Sequence, residues 1–523
     1  MASTQKIIHN LYRDSVSLMQ VSARLSKLPG VKQASMVMAT ENNLDLLEEA
    51  GLLEGRPGAS PNDLLIVLQG EDEAVLEAAL AEAESALDQQ PASMGESGGA
   101  KRTAQRSIEM ALAEMPAANL ALISTPGEYA SAEALKALHL GLHVMLFSDN
   151  VSLEDEIQLK TYAREHGLIV MGPDCGTAII NGIPLAFANV VRRGDIGVVG
   201  ASGTGIQQIT SLIDRRGKGI SQAIGTGSHD LHARVGGVSM LQGLDWLAGD
   251  PHTRVIVLLS KPPAPDVARR VLAAANQVGK PVVINFLGAE AGGLGAENMY
   301  SAQTLEEAAL AAVALSGGRR PAAPGAGLDP ALEGSLSTLA AQLKPQQRYL
   351  RGLYSGGTFC YEAVILLFRA LDQVYSNTPI DPQFKLENVW QSQKHTLVDL
   401  GDDVFTRGRP HPMIDHRLRN ERIQEEAADP ETGVILFDVV LGHGSHPDPA
   451  AEMIPAIESA RETAAVGGRS LVFVGSVCGT ESDPQNLARQ EAALRQAGVL
   501  LAESNAQAVR QATEIVSRVR VMS

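Results

Sequence analysis

Cysteine is nearly absent: the chain of 523 residues has three, Cys175, Cys360 and Cys478. They lie far apart and none belongs to a C-x-x-C pair, which argues against a disulfide framework or a thiolate zinc site and suits a reducing cytosol. Aromatic residues make up 4% of the chain, whereas Ala, Gly, Leu and Val abound. That balance suits parallel sheets covered by Ala-rich helices better than a β-sandwich. There is no basic block, and the formal net charge is -17, so a nucleic-acid partner is not expected. Small anionic substrates stay open, because backbone dipoles oppose the global field locally. No run approaches the roughly 18 apolar residues of a membrane span, and the opening MASTQKIIHNLYRDS has no apolar signal core. A soluble, cytoplasmic protein is the expectation.

What is present is an αβ pattern long enough for three or four domains, at roughly 100–200 residues each. The fold class expected is α/β: tandem doubly wound parallel sheets with a small N-terminal α+β domain. Residues 1–92 read strand, helix, strand, strand, helix, a split βαβ unit, and Met94–Ala100 reads as a glycine-rich linker. Residues 101–190 form a Rossmann-like unit, 191–320 a flavodoxin-like one, and Ser316–Gly327 a Pro/Gly-rich linker before a last αβ domain at 345–523. The last two domains read as a divergent repeat. IGVVGASGTGIQQ answers LRGLYSGGTFCYE, and VIVLLSKPPAPDVA answers ILFDVVLGHGSHPDPA, in the same order.

Parallel sheets bind ligands beyond the carboxyl ends of their strands, so the turns that follow strands hold the candidates. Ser202, Gly203 and Thr204 in one domain, and Gly356, Gly357 and Thr358 in the other, stand where a strand passes into a helix. Free N–H groups, the helix dipole and the hydroxyls suit a phosphate there, although neither loop is a Walker A or a full G-x-G-x-x-G. Read blandly, the same residues are caps and tight turns. Lys261 in L-S-K-P-P can neutralise a phosphate or stand as a solvated lysine. His443 and His446 in G-H-G-S-H-P suit proton transfer, and no third ligand completes a metal site around them. Arg407 and Arg409, in a polar stretch from Asp399 to Asp415 without helical or strand period, can clamp a carboxylate. Cys175, in P-D-C-G, reads as packing.

Four segments between Asn119 and Leu287 (NLALISTPGEYASAEALKALHLGLHVML, MGPDCGTAI, GDIGVVGASGTGIQQ and HTRVIVLLSKPP) resemble, in this order, the α subunit of succinyl-CoA synthetases. Residues 347–520 resemble the carboxyl-terminal domain of their β subunit. The whole chain, with its loop LGDDVFTRGRPHPMID, resembles the FdrA family. The synthetases carry a phosphorylated histidine in a G-H-A-G-A loop, but the matching stretch Leu287–Tyr300 has no histidine. Ser260-Lys261-Pro262 replaces the turn whose carboxylate orients that histidine, and an ATP-grasp module is missing. A phosphohistidine relay therefore cannot run here.

The FdrA resemblance implies one subunit of an oxamate carbamoyltransferase in allantoin (purine) catabolism, converting oxalurate plus phosphate to oxamate plus carbamoyl phosphate in a hetero-oligomer. The substrate phosphate would lie between the two glycine loops, with Lys261 in place of a repelling carboxylate. The resemblance assigns carbamoyl phosphate and phosphate as substrates, and no residues are assigned to a metal or a cofactor. CoA belongs to the alternative, a succinate–CoA-ligase-like acyl-CoA synthetase subunit; a non-catalytic assembly protein is a third class.

Overall fold

The computed structural model describes residues 2–53, 55–88, 105–289, 297–322, 330–407 and 409–521. The linker expected at Met94–Ala100, and residues 323–327 of the second, lie outside these. The chain divides into two compact units, Met1–Val170 with Asp403–Asp415, and Met171–Asp402 with His416–Ser523.

The first unit opens with β1 (Ala2–Ile8), α1 (Ser15–Leu25), β2 (Val31–Met38), α2 (Glu41–Glu49), β3 (Leu64–Gly70) and α3 (Glu73–Asp88). The strands form an antiparallel sheet in the order β1-β3-β2. One face packs Leu64, Ile66 and Leu68 against Leu18, Leu25 and Leu76 of the helices. The other packs Leu65 and Val67 against Leu44 and Leu47 of α2. Helix α2 is absent from the sequence reading: its apolar stripe is only two leucines deep, and Thr40, which caps it through Asn43 N, reads equally as a turn residue. There follow α4 (Ile108–Glu114), β4 (Leu120–Ile123), α5 (Gly127–His139), β5 (His143–Leu146), α6 (Leu153–Glu165) and β6 (Val170–Met171), with the sheet order β4-β5-β6.

The second unit holds two larger sheets. The first takes β7 (Thr177–Ile180), β8 (Ile183–Ala186), β9 (Arg193–Gly200), β10 (Ile220–Gly225), β11 (Val255–Ser260), β12 (Val282–Phe286) and β13 (Met299–Ser301). Its order is β13-β12-β11-β9-β10-β7-β8, with β9 to β13 mutually parallel and β7 and β8 antiparallel at one edge. Strands on either side of the boundary expected at residue 190 therefore share one sheet. Helices α7 (Gly203–Arg215), α8 (Val238–Gly249), α9 (Pro265–Gln277) and α10 (Leu305–Ser316) connect them.

After α11 (Glu333–Ala341) come β14 (Tyr349–Tyr354), α12 (Gly357–Phe368), β15 (Val374–Ser376) and β16 (His395–Asp399). The one-turn α13 (Asp403–Thr406) belongs to the first unit. Then follow α14 (Arg417–Ala428), β17 (Thr432–Val440), α15 (Pro449–Val466), β18 (Val472–Cys478), α16 (Leu487–Gln496), β19 (Leu500–Ala502) and α17 (Asn505–Val521). This second sheet is wholly parallel, in the order β15-β16-β14-β17-β18-β19. Both sheets are doubly wound, as the apolar runs VIVLLS and TGVILFDVV require of strands buried on both faces. Strand order reverses between β9 and β11 in one and between β14 and β17 in the other, the switch points where such sheets bind ligands.

The two sheets of this unit are tied by a buried carboxylate. Glu362 on α12 accepts from Leu305 N at the start of α10 (2.7 Å) and from Asn505 Nδ2 at the start of α17 (2.8 Å). Removing it leaves Leu305 N without its acceptor, at about 1–3 kcal/mol for an unpaired buried group, and strips Asn505 Nδ2 of one of its two acceptors, the other being Phe359 O. Glu362→Ala should therefore lower the unfolding midpoint in denaturant clearly; an unchanged midpoint would show that the tie contributes nothing.

Candidate functional site

Each sheet of the second unit delivers one helix N-terminus to the same point. Strand β9 runs through Gly200-Ala201 into Ser202, which caps α7 by accepting from Gly205 N at 2.9 Å. Strand β14 runs through Ser355-Gly356 into α12. Ser202 Oγ and Thr358 Oγ1 lie 2.6 Å apart, so the two helices begin within hydroxyl contact. The first N–H groups of a helix have no intrahelical acceptor, and both dipoles present their positive ends here.

The two ends are not equivalent. At α12 the N–H groups of Ser355 and Gly356 already donate to the carboxylate of Asp438 on β17, at 2.7 and 2.8 Å, and Ser355 Oγ donates to it as well. Asp438 is fully buried and pairs with the buried Arg419 of α14, whose Nη1 donates to it at 3.0 Å. Gly356 thus cannot offer its N–H to a phosphate, contrary to the expectation from sequence. The N–H groups of Gly357 and Thr358 at α12, with those of Gly203 and Thr204 at α7, stay available among the described residues.

Lys261 follows the end of β11, on the turn into α9, with Nζ 5.6 Å from the centre of the ring of Tyr361, the fifth residue of α12. Its charge acts on Asp399 and Cys360, on the α12 side of the site. Asp399 itself, the last residue of β16, is buried beneath α12. A Cβ placed on Gly357 would lie 2.5 Å from its Oδ2, so glycine is required for that approach. Its Oδ1 accepts from Gly401 N at 3.0 Å. Burial pushes the Asp399 carboxyl up to about 6, against the pull of Lys261.

His443 and His446 sit on the turn after β17, which packs on residues 187–189 of the other domain: His443 N donates to Ala188 O at 3.0 Å. The His443 side chain is exposed. His446 Nδ1 accepts from Asp448 N at 3.1 Å, and its ring lies 5.4 Å from that of His416, which in turn meets Arg419. These contacts hold the turn and the start of α15. Arg407 and Arg409 belong to the first unit, where Arg407 pairs with Glu49 at 2.7 Å. The stretch read as structureless contains α13, wound around the buried Phe405. Cys175 is buried and bonds weakly to Thr177 O and Gly225 O, a packing role. Of the loop Leu287–Tyr300, residues 290–296 lie outside the described residues.

Asp399 and Asp438 are the site groups that the sequence reading passed over. Their signal was a lone aspartate inside an apolar strand, in HTLVD and in TGVILFDVV.

Residues 353–515 match the family model described as CoA-ligase, residues 191–288 that of a CoA binding domain, and residues 1–104 that of the AllF heavy metal-associated domain. Over 510 residues the chain is 46% identical to the protein YahF of Escherichia coli, covering 97% of this chain and 98% of that one. The chain belongs to the YahF family. This member is also 28% identical over 189 residues to the succinate–CoA ligase [ADP-forming] subunit alpha of Methanothermobacter thermautotrophicus, spanning 62% of that protein's length. To the ADP-forming sulfoacetate-CoA ligase subunit SauD of Bilophila wadsworthia it is 25% identical over 162 residues, 54% of that length. The apo acetyl-coenzyme A synthetase 1 of Ca. Korarchaeum cryptofilum superposes with a TM-score of 0.32 at 16% identity, over 77% of this chain and 84% of that one. In its last two domains the YahF-family chain is thus succinate–CoA-ligase-like.

The N-terminal domain does not fit a heavy metal, despite the description of its family model. Soft metals are held by thiolates, and residues 1–104 contain no cysteine. Among the described residues no group of three His, Cys, Asp or Glu side chains is placed to hold a metal ion.

The buried Asp399 should leave a signature in stability. A carboxyl raised from 3.8 to about 6 contributes stability that is complete below the unfolded value and is lost as pH rises through the folded one. Asp399→Asn should therefore gain on wild type between acid and neutral pH, by on the order of 2–3 kcal/mol. Denaturant midpoints of both proteins at several pH values check this; parallel curves would contradict it.

Proposed function

We propose that this chain binds an acyl phosphate between the N-termini of α7 and α12 and acts as one subunit of an oxamate carbamoyltransferase, as an FdrA-family protein. The reaction is oxalurate plus phosphate to oxamate plus carbamoyl phosphate, in the breakdown of allantoin. The observation that carries the reading is the 2.6 Å contact between Ser202 and Thr358. It supports a shared site in which four amide N–H groups and two hydroxyls at the two helix ends, with the Lys261 cation, would form a donor set for a phosphate dianion. Preorganised donors of this kind stabilise the charge that builds as phosphate attacks or leaves. The AllF description of the N-terminal model supports a place in allantoin breakdown.

Two features make the site unlike one built for a phosphorylated histidine. The stretch Leu287–Tyr300 supplies no histidine, and Lys261 stands where an orienting carboxylate would repel a free phosphate. Partner subunits in a hetero-oligomer are part of the proposal, as is a cytoplasmic location. His443 and His446, engaged in the turn after β17, and Arg407, paired with Glu49, have no assigned step. A second reading, an acyl-CoA ligase subunit, is favoured by the CoA-ligase and CoA binding domain matches.

Protection against thermal unfolding separates the two, because a ligand selective for the folded state stabilises it. Carbamoyl phosphate and phosphate are expected to raise the midpoint of wild type and to lose that effect in Lys261→Glu and in Gly203→Val. Stabilisation by CoA alone would overturn the carbamoyl reading in favour of the ligase.

A further inference from the structure

Cleaving oxalurate with phosphate breaks a C–N bond, and an amide nitrogen leaves poorly unless it receives a proton as the bond breaks. The proton therefore needs a carrier at the helix ends, a group that gives it up as the bond breaks and is re-protonated by the attacking hydrogen phosphate. We propose that Asp399 is that group: it donates a proton to the departing nitrogen of oxamate and, in the reverse direction, removes one from it. The inference rests on the acyl-phosphate reading above.

Position comes first. Asp399 ends β16, and its Oδ2 lies 2.5 Å from where a Cβ on Gly357, the first residue of α12, would stand, so the carboxyl abuts the helix end that offers N–H groups to phosphate. Oδ1 is held by Gly401 N, and the backbone of Asp399 is clamped on both sides by the Asn377 side chain, at 2.9 and 3.0 Å. The carboxyl is therefore fixed, with Oδ2 turned toward the helix end.

Charge comes second. Lys261 faces Asp399 from the turn after β11, Cys360 from α12, Asp438 from β17 and Asp402 from the segment after β16. Burial is the main penalty on ionisation; Asp402 and Asp438, the latter paired with Arg419, add to it, and Lys261 works against it. A phosphate dianion arriving above Gly357 adds more negative charge and drives Asp399 further toward the acid form. The substrate thereby loads the proton that the reaction uses.

Other candidates are committed elsewhere. Burial holds the Cys360 thiol well above its ordinary value, the Tyr361 phenol is also raised by burial, and the His446 ring is engaged by Asp448 N in the turn after β17.

The step balances. A phosphate oxygen attacks the terminal ureido carbon, the C–N bond breaks, and its electron pair takes the proton from Asp399 Oδ2 to give the oxamate NH2. The hydrogen of the attacking hydrogen phosphate returns to Asp399, leaving carbamoyl phosphate and a re-protonated carboxyl.

The test couples binding to turnover. Calorimetric titration of the full chain with inorganic phosphate, in buffers of different ionisation enthalpy between about pH 6 and 8, counts protons taken up per phosphate bound. Oxalurate phosphorolysis is then followed with the partner subunits. Asp399→Asn is expected to bind phosphate yet take up fewer protons than wild type, by up to about one per phosphate. Its turnover should fall by roughly 10²- to 10⁴-fold, with part restored in Asp399→Glu. Equal proton uptake, or equal turnover, in wild type and Asp399→Asn would overturn the assignment while leaving the phosphate site. Failure of wild type to bind phosphate would sink the acyl-phosphate reading and this role with it. Uptake that depends on Asp399 without oxalurate turnover by wild type would reject the donor role.

Discussion

Ser202 and Thr358 hold two helix N-termini within hydroxyl contact, and the chemistry available to the second unit depends on that contact. Neither helix end alone distinguishes a capped turn from an anion site. Together they sum two dipoles and two sets of unpaired N–H groups at one place, inside a unit whose sheets are buried on both faces. The tie through Glu362 and the packing of the 442–446 turn on residues 187–189 keep the two domains in register. What looks like remote structural detail therefore sets the spacing at the site.

Charge at the site is balanced from beneath. Asp438 consumes the N–H groups of Ser355 and Gly356 and is itself neutralised by Arg419, so the α12 end offers fewer donors than its glycines suggest. Burial raises the proton affinity of Asp399, and Lys261 offsets only part of that rise. A buried pair such as Arg419–Asp438 is costly to break on one side alone, since the survivor is an uncompensated charge. The same arrangement that fixes the backbone of the loop thus gives Asp438 a cationic partner, while burial leaves Asp399 with a raised proton affinity.

Much of this architecture was legible in the sequence because it follows local rules. Apolar runs such as VIVLLS and VILFDVV mark strands buried on both faces, and Ser-Gly or Gly-Gly after such a run marks a strand entering a helix. The doubly wound class and the placing of Ser202, Lys261 and Thr358 at strand ends follow from that alone. Three-dimensional convergence does not: nothing local says that Ser202 and Thr358, 156 positions apart, share a hydrogen bond. Nor does local reading show that the N–H of Gly356 is taken, since its acceptor, Asp438, comes 82 residues later. The polar stretch from Asp399 to Asp415 hides its contacts for a related reason: Arg407 meets Glu49, 358 residues earlier, within the first unit.

The central claim is that phosphate lies between the two helix ends. A crystal structure of the full chain grown with carbamoyl phosphate or phosphate tests it most directly. The account places a phosphate within hydrogen-bonding distance of the N–H groups of Gly203, Thr204, Gly357 and Thr358, with Lys261 turned toward it. Phosphate bound elsewhere, or an unchanged Ser202–Thr358 contact with no phosphate beside it at saturating ligand, would contradict the account.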